Sequence, residues 1–158
     1  MAILTRTEVS EKIADWRKAG KSIVFTNGCF DIIHRGHIEY LKKAKALGDI
    51  LVLGLNSDKS IKKLKGRNRP IQNQTDRAAV LDAIEVIDVV IIFSEETPLE
   101  LIIELKPDIL VKGGDYEEYR IVGANEMKQW DGSVVIIPYI ESQSTSGIID
   151  RVINKHNG

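Results

Sequence analysis

The chain has 158 residues, 43% apolar and 28% charged, which suits one compact domain with a full core and leaves little chain for a second. A net charge of −1 supplies no global attraction to nucleic acid or to an anionic membrane surface. Met1 to Arg6 holds no signal-peptide-like apolar run, no window reaches the length of a membrane span, and the single cysteine, Cys29, excludes an internal disulfide; together these lead us to expect a cytoplasmic protein.

Short β-branched runs alternate with amphipathic stretches, which predicts an α/β, Rossmann-like, doubly wound parallel sheet of five strands with helices on both faces. Residues 1–158 are expected to form a single domain, with residues 1–20 contributing a helix near Thr7–Ala19 ahead of the first strand. The strands are expected at Ser22–Asn27, Ile50–Asn56, Val89–Phe93, Ile109–Lys112 and Val134–Pro138, continuously apolar as strands buried on both faces should be. Further helices are expected near His37–Leu47, Ser57–Leu64, Gln74–Ile84, Pro98–Leu105, Ala124–Gln129 and Thr145–Asn154. Gly20 and Gly48 fall where left-handed C-caps belong, and Thr97 before Pro98 reads as an N-cap with proline at the first helical position. The irregular stretch Lys65–Asn73, charged and containing Arg69-Pro70, reads as a mobile loop.

In a doubly wound sheet, ligands bind beyond the carboxyl ends of the strands. After the first strand comes Asn27-Gly28-Cys29-Phe30-Asp31-Ile32-Ile33-His34-Arg35-Gly36-His37, running into an amphipathic helix. Gly36 would remove a side chain where a phosphate approaches the helix N-terminus, and His34 and His37 could donate hydrogen bonds to the same phosphates. The alternatives are a helix-capping histidine, or a zinc site from Cys29, His34 and His37 that lacks an evident fourth ligand. After the second strand, Asn56 and Asp58 lead into a basic run of Lys59, Lys62, Lys63, Lys65, Arg67 and Arg69. That run could offset the charge of a triphosphate or could be a solvated face; no aromatic residue interleaves it as in a nucleic-acid groove. Arg77 reads as a further phosphate contact, or as a surface partner on its helix. After the fourth strand, Lys112 could reach phosphate, Gly113 and Gly114 let backbone approach a flat base, and Asp115 could take a hydroxyl or an amine. Ser144, Thr145, Ser146 and Gly147 open the last helix, as an N-cap that also offers hydroxyls and N–H groups to phosphate.

Taken together, His34-Arg35-Gly36-His37 resembles the His-x-Gly-His mark of the cytidylyltransferase-like nucleotidyltransferases. Asn27 to His34, Leu64-Lys65-Gly66-Arg67 to Arg69-Pro70, Val111 to Tyr116, Ile121-Val122-Gly123 and Ser144-Thr145-Ser146 further resemble the D-glycero-β-D-manno-heptose 1-phosphate adenylyltransferase branch, over roughly residues 20 to 155. The resemblance implies ATP and a sugar 1-phosphate as substrates, Mg²⁺ entering with the ATP, and ADP-heptose for lipopolysaccharide core synthesis as the product's use. It implies a stand-alone transferase where the branch is often fused to a sugar kinase; the charge balance and the lack of a long apolar run lead us to expect neither a nucleic-acid nor a membrane partner, with homo-oligomerisation left open. Gln143 stands where the resemblance leads us to expect glycine.

A sugar phosphate monoester has a second pKa near about 6, so its oxygen is an ionised nucleophile at neutral pH and needs no general base. Catalysis then reduces to positioning and charge stabilisation during in-line attack on the α-phosphorus. His34, His37 and Lys112 are the expected catalytic residues. Cys29, Phe30, Arg35, Gly36, Asn56, Asp58, Arg77, Gly113, Gly114, Asp115 and Ser144–Ser146 are expected around the nucleotide, and Asp31, Lys65, Arg67, Arg69 and Tyr116 around the sugar phosphate. Three other readings share the scaffold: a cytidylyltransferase acting on glycerol 3-phosphate, an FAD-synthetase-like adenylyltransferase, and a nucleotide-binding sensor without activity.

Overall fold

The strands are made by the Val- and Ile-rich runs, and alternate side chains of each run go to opposite faces of the sheet, which is why both parities of every run are apolar. The computed structural model describes residues 2–140 and 144–158; the Gln143 departure lies outside them. β1 (Ile23–Gly28), β2 (Ile50–Asn56), β3 (Val89–Phe93), β4 (Ile109–Gly113) and β5 (Ser133–Ile137) form one parallel sheet in the order β3-β2-β1-β4-β5. The helices are α1 (Arg6–Lys18), α2 (Arg35–Lys45), α3 (Asp58–Lys65), α4 (Gln74–Asp82), α5 (Leu99–Leu105), α6 (Ala124–Met127) and α7 (Thr145–His156). Ile23, Phe25, Val52, Val89 and Ile91 pack with α1, α5 and α6 on one face. Val24, Leu51, Leu53, Val90 and Val111 pack with α2 and α4 on the other.

The expected elements form with shifts of a few residues. α3 extends through Lys65, so the irregular stretch is shorter than expected, and α6 passes into a 3-10 turn at Lys128–Trp130. Two expected caps are corrected. Gly20 is left-handed at φ 72, but Gly48 is not among the positive-φ residues; a Cβ there would meet Val24 Cγ2 at 2.7 Å and Ser22 Oγ at 2.8 Å, so close approach rather than backbone conformation calls for glycine. Pro98 occupies the N-cap of α5 in place of Thr97, so the first helical position is Leu99, one residue later than expected. A short pairing also escaped the sequence: Leu4 N donates to Val90 O and Val90 N to Ala2 O, both at 3.0 Å, covering part of the β3 edge.

The strand order sets the location of the cleft. The chain winds outward from β1 through β2 to β3, then returns to place β4 on the other side of β1, so the segments after β1 and β4 diverge and open a crevice between them.

Candidate active site

The β1–α2 segment is held from below by Arg77 on α4. Its side chain is 1% exposed, its Nη1 donates to Cys29 O at 2.7 Å and Asn56 O at 2.9 Å, its Nε to Gln72 O at 3.0 Å, and its Nη2 to Asp58 Oδ1 at 2.8 Å. A guanidinium carries five N–H groups in a fixed plane, and here every nitrogen is engaged, so the loop carbonyls are tied to the β2 end and to α4. Above this anchor Phe30 adopts φ 45, a left-handed backbone uncommon for an aromatic residue, and turns the chain so that Asp31 points inward. Asp31 is 2% exposed and accepts from Arg69 Nε at 2.8 Å, from Ile71 N at 2.8 Å and from Gln72 N at 2.9 Å. Burial pushes its carboxyl upward, but the hydrogen bonds from Gln72, Ile71 and Arg69 outweigh it and hold it below the usual range.

α2 begins where His34 caps it. His34 Nδ1 accepts from Gly36 N at 3.1 Å, and His37 Nδ1 lies 3.4 Å from His34 N, completing a capping box in which two imidazoles stand in for the usual hydroxyl and carboxylate. The capping alternative weighed from the sequence is therefore realised, and each Nε2 has no partner among the described residues. With Nδ1 accepting, the neutral tautomer assigned by these bonds places the proton on Nε2. The rings stack at 3.9 Å between centroids, 28° apart. Burial pulls His37 down to about 4, and the charges of His34 and Lys65 act in the same direction; burial also lowers His34. Both imidazoles are neutral hydrogen-bond donors at pH 7.

The opposite wall comes from β4, the segment after β5, and the start of α7. Lys112 lies across from Cys29, its amine lowered by burial and partly raised again by the cysteine. Tyr40, one turn beyond His37 on α2, shares a 2.6 Å hydrogen bond with Thr26 Oγ1 and donates to Val111 O at 3.2 Å, bridging the histidine helix to both strands. Burial pushes its hydroxyl up to about 12, the Thr26 bond opposes that, and Tyr139 adds to it. Ser144 Oγ caps α7 by accepting from Gly147 N at 3.0 Å, while Thr145 Oγ1 donates to Ile32 O at 3.2 Å and ties α7 to the β1–α2 segment.

These walls enclose a cleft of about 440 Å³. Of the expected site residues it gathers Cys29, Phe30, Asp31, His34, Gly36, His37, Lys65, Arg69, Lys112, Gly113 and Ser144–Ser146. Lys43, Lys65 and Lys112 also face it, and none has a carboxylate within salt-bridge distance among the described residues.

Other expected residues lie outside this lining. Arg77 is not a phosphate contact, because its nitrogens are all bound to protein oxygens beneath the floor. Asn56 is buried with Nδ2 on Ser60 Oγ, and Asp58 faces a separate trough, so neither reaches the cleft. Arg35 is exposed and pairs with Glu39 at 3.9 Å; Arg67, Asp115 and Tyr116 are exposed outside the lining. Gly113 and Gly114 do admit a flat ring, but it belongs to the protein. A Cβ at Gly113 would stand 3.0 Å from Tyr139 and 3.2 Å from Tyr40, and one at Gly114, where φ is +118, would stand 2.9 Å from Tyr139. Tyr40, Lys43, Glu39 and Tyr139 were missed. The spacing of Tyr40 and Lys43 at three-residue steps from His37 carries the signal for the helix face, whereas nothing local marks Tyr139. Among the described residues no three His, Cys, Asp or Glu side chains gather as a metal-ligand set, so the zinc alternative has no ligand geometry there.

Comparison with known proteins bears on this cleft. The cytidylyltransferase-like family profile matches residues 25–151. The chain is 51% identical over 150 residues to the bifunctional protein HldE of Wolinella succinogenes, covering 95% of this chain and 31% of that one. It is 54% identical over 138 residues to the HldE of Nitratiruptor sp., covering 87% and 29% respectively. The chain thus spans about a third of the length of the curated relatives it matches. The crystal structure of the lipopolysaccharide core biosynthesis protein from Thermoplasma volcanium superposes with a TM-score of 0.62 at 32% identity, covering 78% of this chain and all of that one. No helix among the described residues is long and apolar enough to cross a membrane. With its fold and most of its length matched, this chain belongs to the cytidylyltransferase-like family of nucleotidyltransferases.

Proposed function

We propose that the chain transfers AMP from ATP to D-glycero-β-D-manno-heptose 1-phosphate, releasing pyrophosphate and giving ADP-heptose for lipopolysaccharide core assembly in the cytoplasm. The observation that carries this reading is the pairing of two neutral imidazoles with Lys43, Lys65 and Lys112; among the described residues neither Nε2 has a partner and no carboxylate offsets the lysine charges. Such a cleft favours a polyanion over a neutral ligand.

In the reaction, a phosphate oxygen of the sugar phosphate attacks the α-phosphorus of ATP, the bond to the bridging α–β oxygen breaks, and pyrophosphate carries away the electron pair. His34 and His37 donate from Nε2 to the phosphoryl oxygens, and Lys112 and Lys65 supply positive charge; none needs to change protonation state. The N-terminus of α7, with Ser144–Ser146, offers N–H groups to the outer phosphates. Mg²⁺ bound with the ATP would supply further neutralisation. Among the described residues at the cleft, Asp31 is fully hydrogen-bonded and Glu39 faces Arg35, so the ion would be held chiefly by phosphate oxygens.

The test is pyrophosphate release with ATP and with CTP, each offered heptose 1-phosphate and glycerol 3-phosphate. Release is expected with ATP and heptose 1-phosphate. Release confined to CTP or to glycerol 3-phosphate would reassign the chain to cytidylyl transfer, and nucleotide binding without release from any pair would make it a sensor.

A further inference from the structure

The cleft contains one arginine whose engagement is incomplete in a specific way. Arg69 is held by Asp31 through Nε alone, at 2.8 Å, and its two η nitrogens have no partner among the described residues. Its side chain is 15% exposed and lines the cleft together with Lys65. Eight positions along, Arg77 shows the contrasting arrangement, with every nitrogen on a protein oxygen.

We propose that Asp31 is a positioning residue that grips the Nε edge of Arg69 and so presents both η nitrogens to a phosphoryl group in the cleft. The inference rests on the reading that the cleft takes phosphorylated substrates. Asp31 does not contact the sugar. Its oxygens already accept from Arg69, Ile71 and Gln72, and at 2% exposure they have no free face for an incoming hydroxyl. The same carboxylate binds two consecutive backbone N–H groups of the segment that carries Arg69, so side chain and backbone are aimed as one unit. An arginine so held loses little rotamer freedom when a phosphate binds, and its open edge matches two phosphate oxygens in the bidentate manner. The segment between α3 and α4, read from the sequence as a mobile loop, is on this view latched in place before substrate arrives.

The experiment is calorimetric titration of the intact chain and its variants with three probes: pyrophosphate, Mg-ATP and heptose 1-phosphate. Arg69→Ala is expected to weaken at least one probe about tenfold or more, the usual scale for a hydrogen bond to a charged group. Asp31→Asn, which cannot accept three N–H groups and turns an amide N–H toward Nε, is expected to reproduce most of that loss. The double variant should be no worse than Arg69→Ala alone, because Asp31 acts through Arg69. A loss confined to heptose 1-phosphate places Arg69 on the acceptor, and a loss on ATP and pyrophosphate places it on the triphosphate; either supports the proposal. If Asp31→Asn fails to fold, Arg69→Gln and Arg69→Lys carry the test: both remove the bidentate edge and should bind the affected probe as poorly as Arg69→Ala or nearly so. Binding of all three probes by Arg69→Ala within twofold of wild type overturns the inference, as do additive losses in the double variant. Failure to turn over heptose 1-phosphate would defeat the functional reading alone, because the pyrophosphate arm still reports on Arg69.

Discussion

Two basic hollows lie on either side of the same floor. The trough between α3 and α4 is lined by Asp58, Lys59, Lys62, Lys63, Asn73, Gln74 and Thr75. Both are rich in lysine, but several of the trough's polar groups are engaged in structure. Asp58 binds Arg77, Gln74 accepts from Asp58 N at 3.0 Å, Asn73 caps α4, and Lys63 faces Glu96 at 3.5 Å. None of its lining residues is aromatic or a histidine. The cleft instead carries two imidazoles whose Nε2 atoms have no partner among the described residues. Lysine content therefore does not separate a site from a solvated face; open, pre-aimed donors do.

The largest effect should come from the shared floor. Arg77→Met would strip partners from Cys29 O, Asn56 O and Gln72 O and leave Asp58 unpaired, and breaking a buried pair on one side costs about 3–5 kcal/mol. Chemical denaturation should show that loss; a cost below about 1 kcal/mol would mean the two hollows do not depend on this anchor. Next, His37→Ala should lower kcat by about 10²–10³ while ATP binding weakens far less, since a preorganised donor acts mainly on charge that develops in the transition state. Lys112→Ala should be similarly impaired, and near wild-type turnover in either variant would remove that residue from the chemistry.

The pH dependence follows from His37, whose folded value near 4 lies below its ordinary 6.5. Between those values the unfolded chain binds a proton that the native chain does not, so stability falls as pH drops from 6.5 toward 4 and is level with respect to this group above 6.5. Thermal unfolding of wild type and His37→Ala across that window should diverge, the variant losing less on acidification; parallel curves would refute the depressed value. Smallest of all, Lys59→Ala and Lys62→Ala should leave kcat and KM unchanged and shift stability by no more than about 0.5 kcal/mol. A clear loss of ATP affinity in either would make the trough an extension of the cleft.

The legible parts of this protein are those written in neighbouring residues. The five apolar runs specify buried strands because a parallel strand must be apolar on both faces. Gly36 between His34 and His37 marks a helix entry because a phosphate site there needs both an open backbone and donors. Gly48 misled because close approach and a left-handed φ call for the same residue type and only the packed partner tells them apart. Tyr139 was invisible because a lone tyrosine after a strand has no local signature.

What the sequence alone determined is the sheet, its helices and the histidine-bearing entry to α2, all of which follow from spacings of a few residues. Only the tertiary structure decided which charges face the cleft. Arg67, Arg69 and Arg77 are alike in a linear reading, but Asp31 stands 38 residues from Arg69, Cys29 stands 48 from Arg77, and Thr145 reaches Ile32 across 113. A guanidinium is left open for ligand or closed onto protein according to the oxygens that surround it, and those oxygens arrive from strands and loops that meet only when the chain folds.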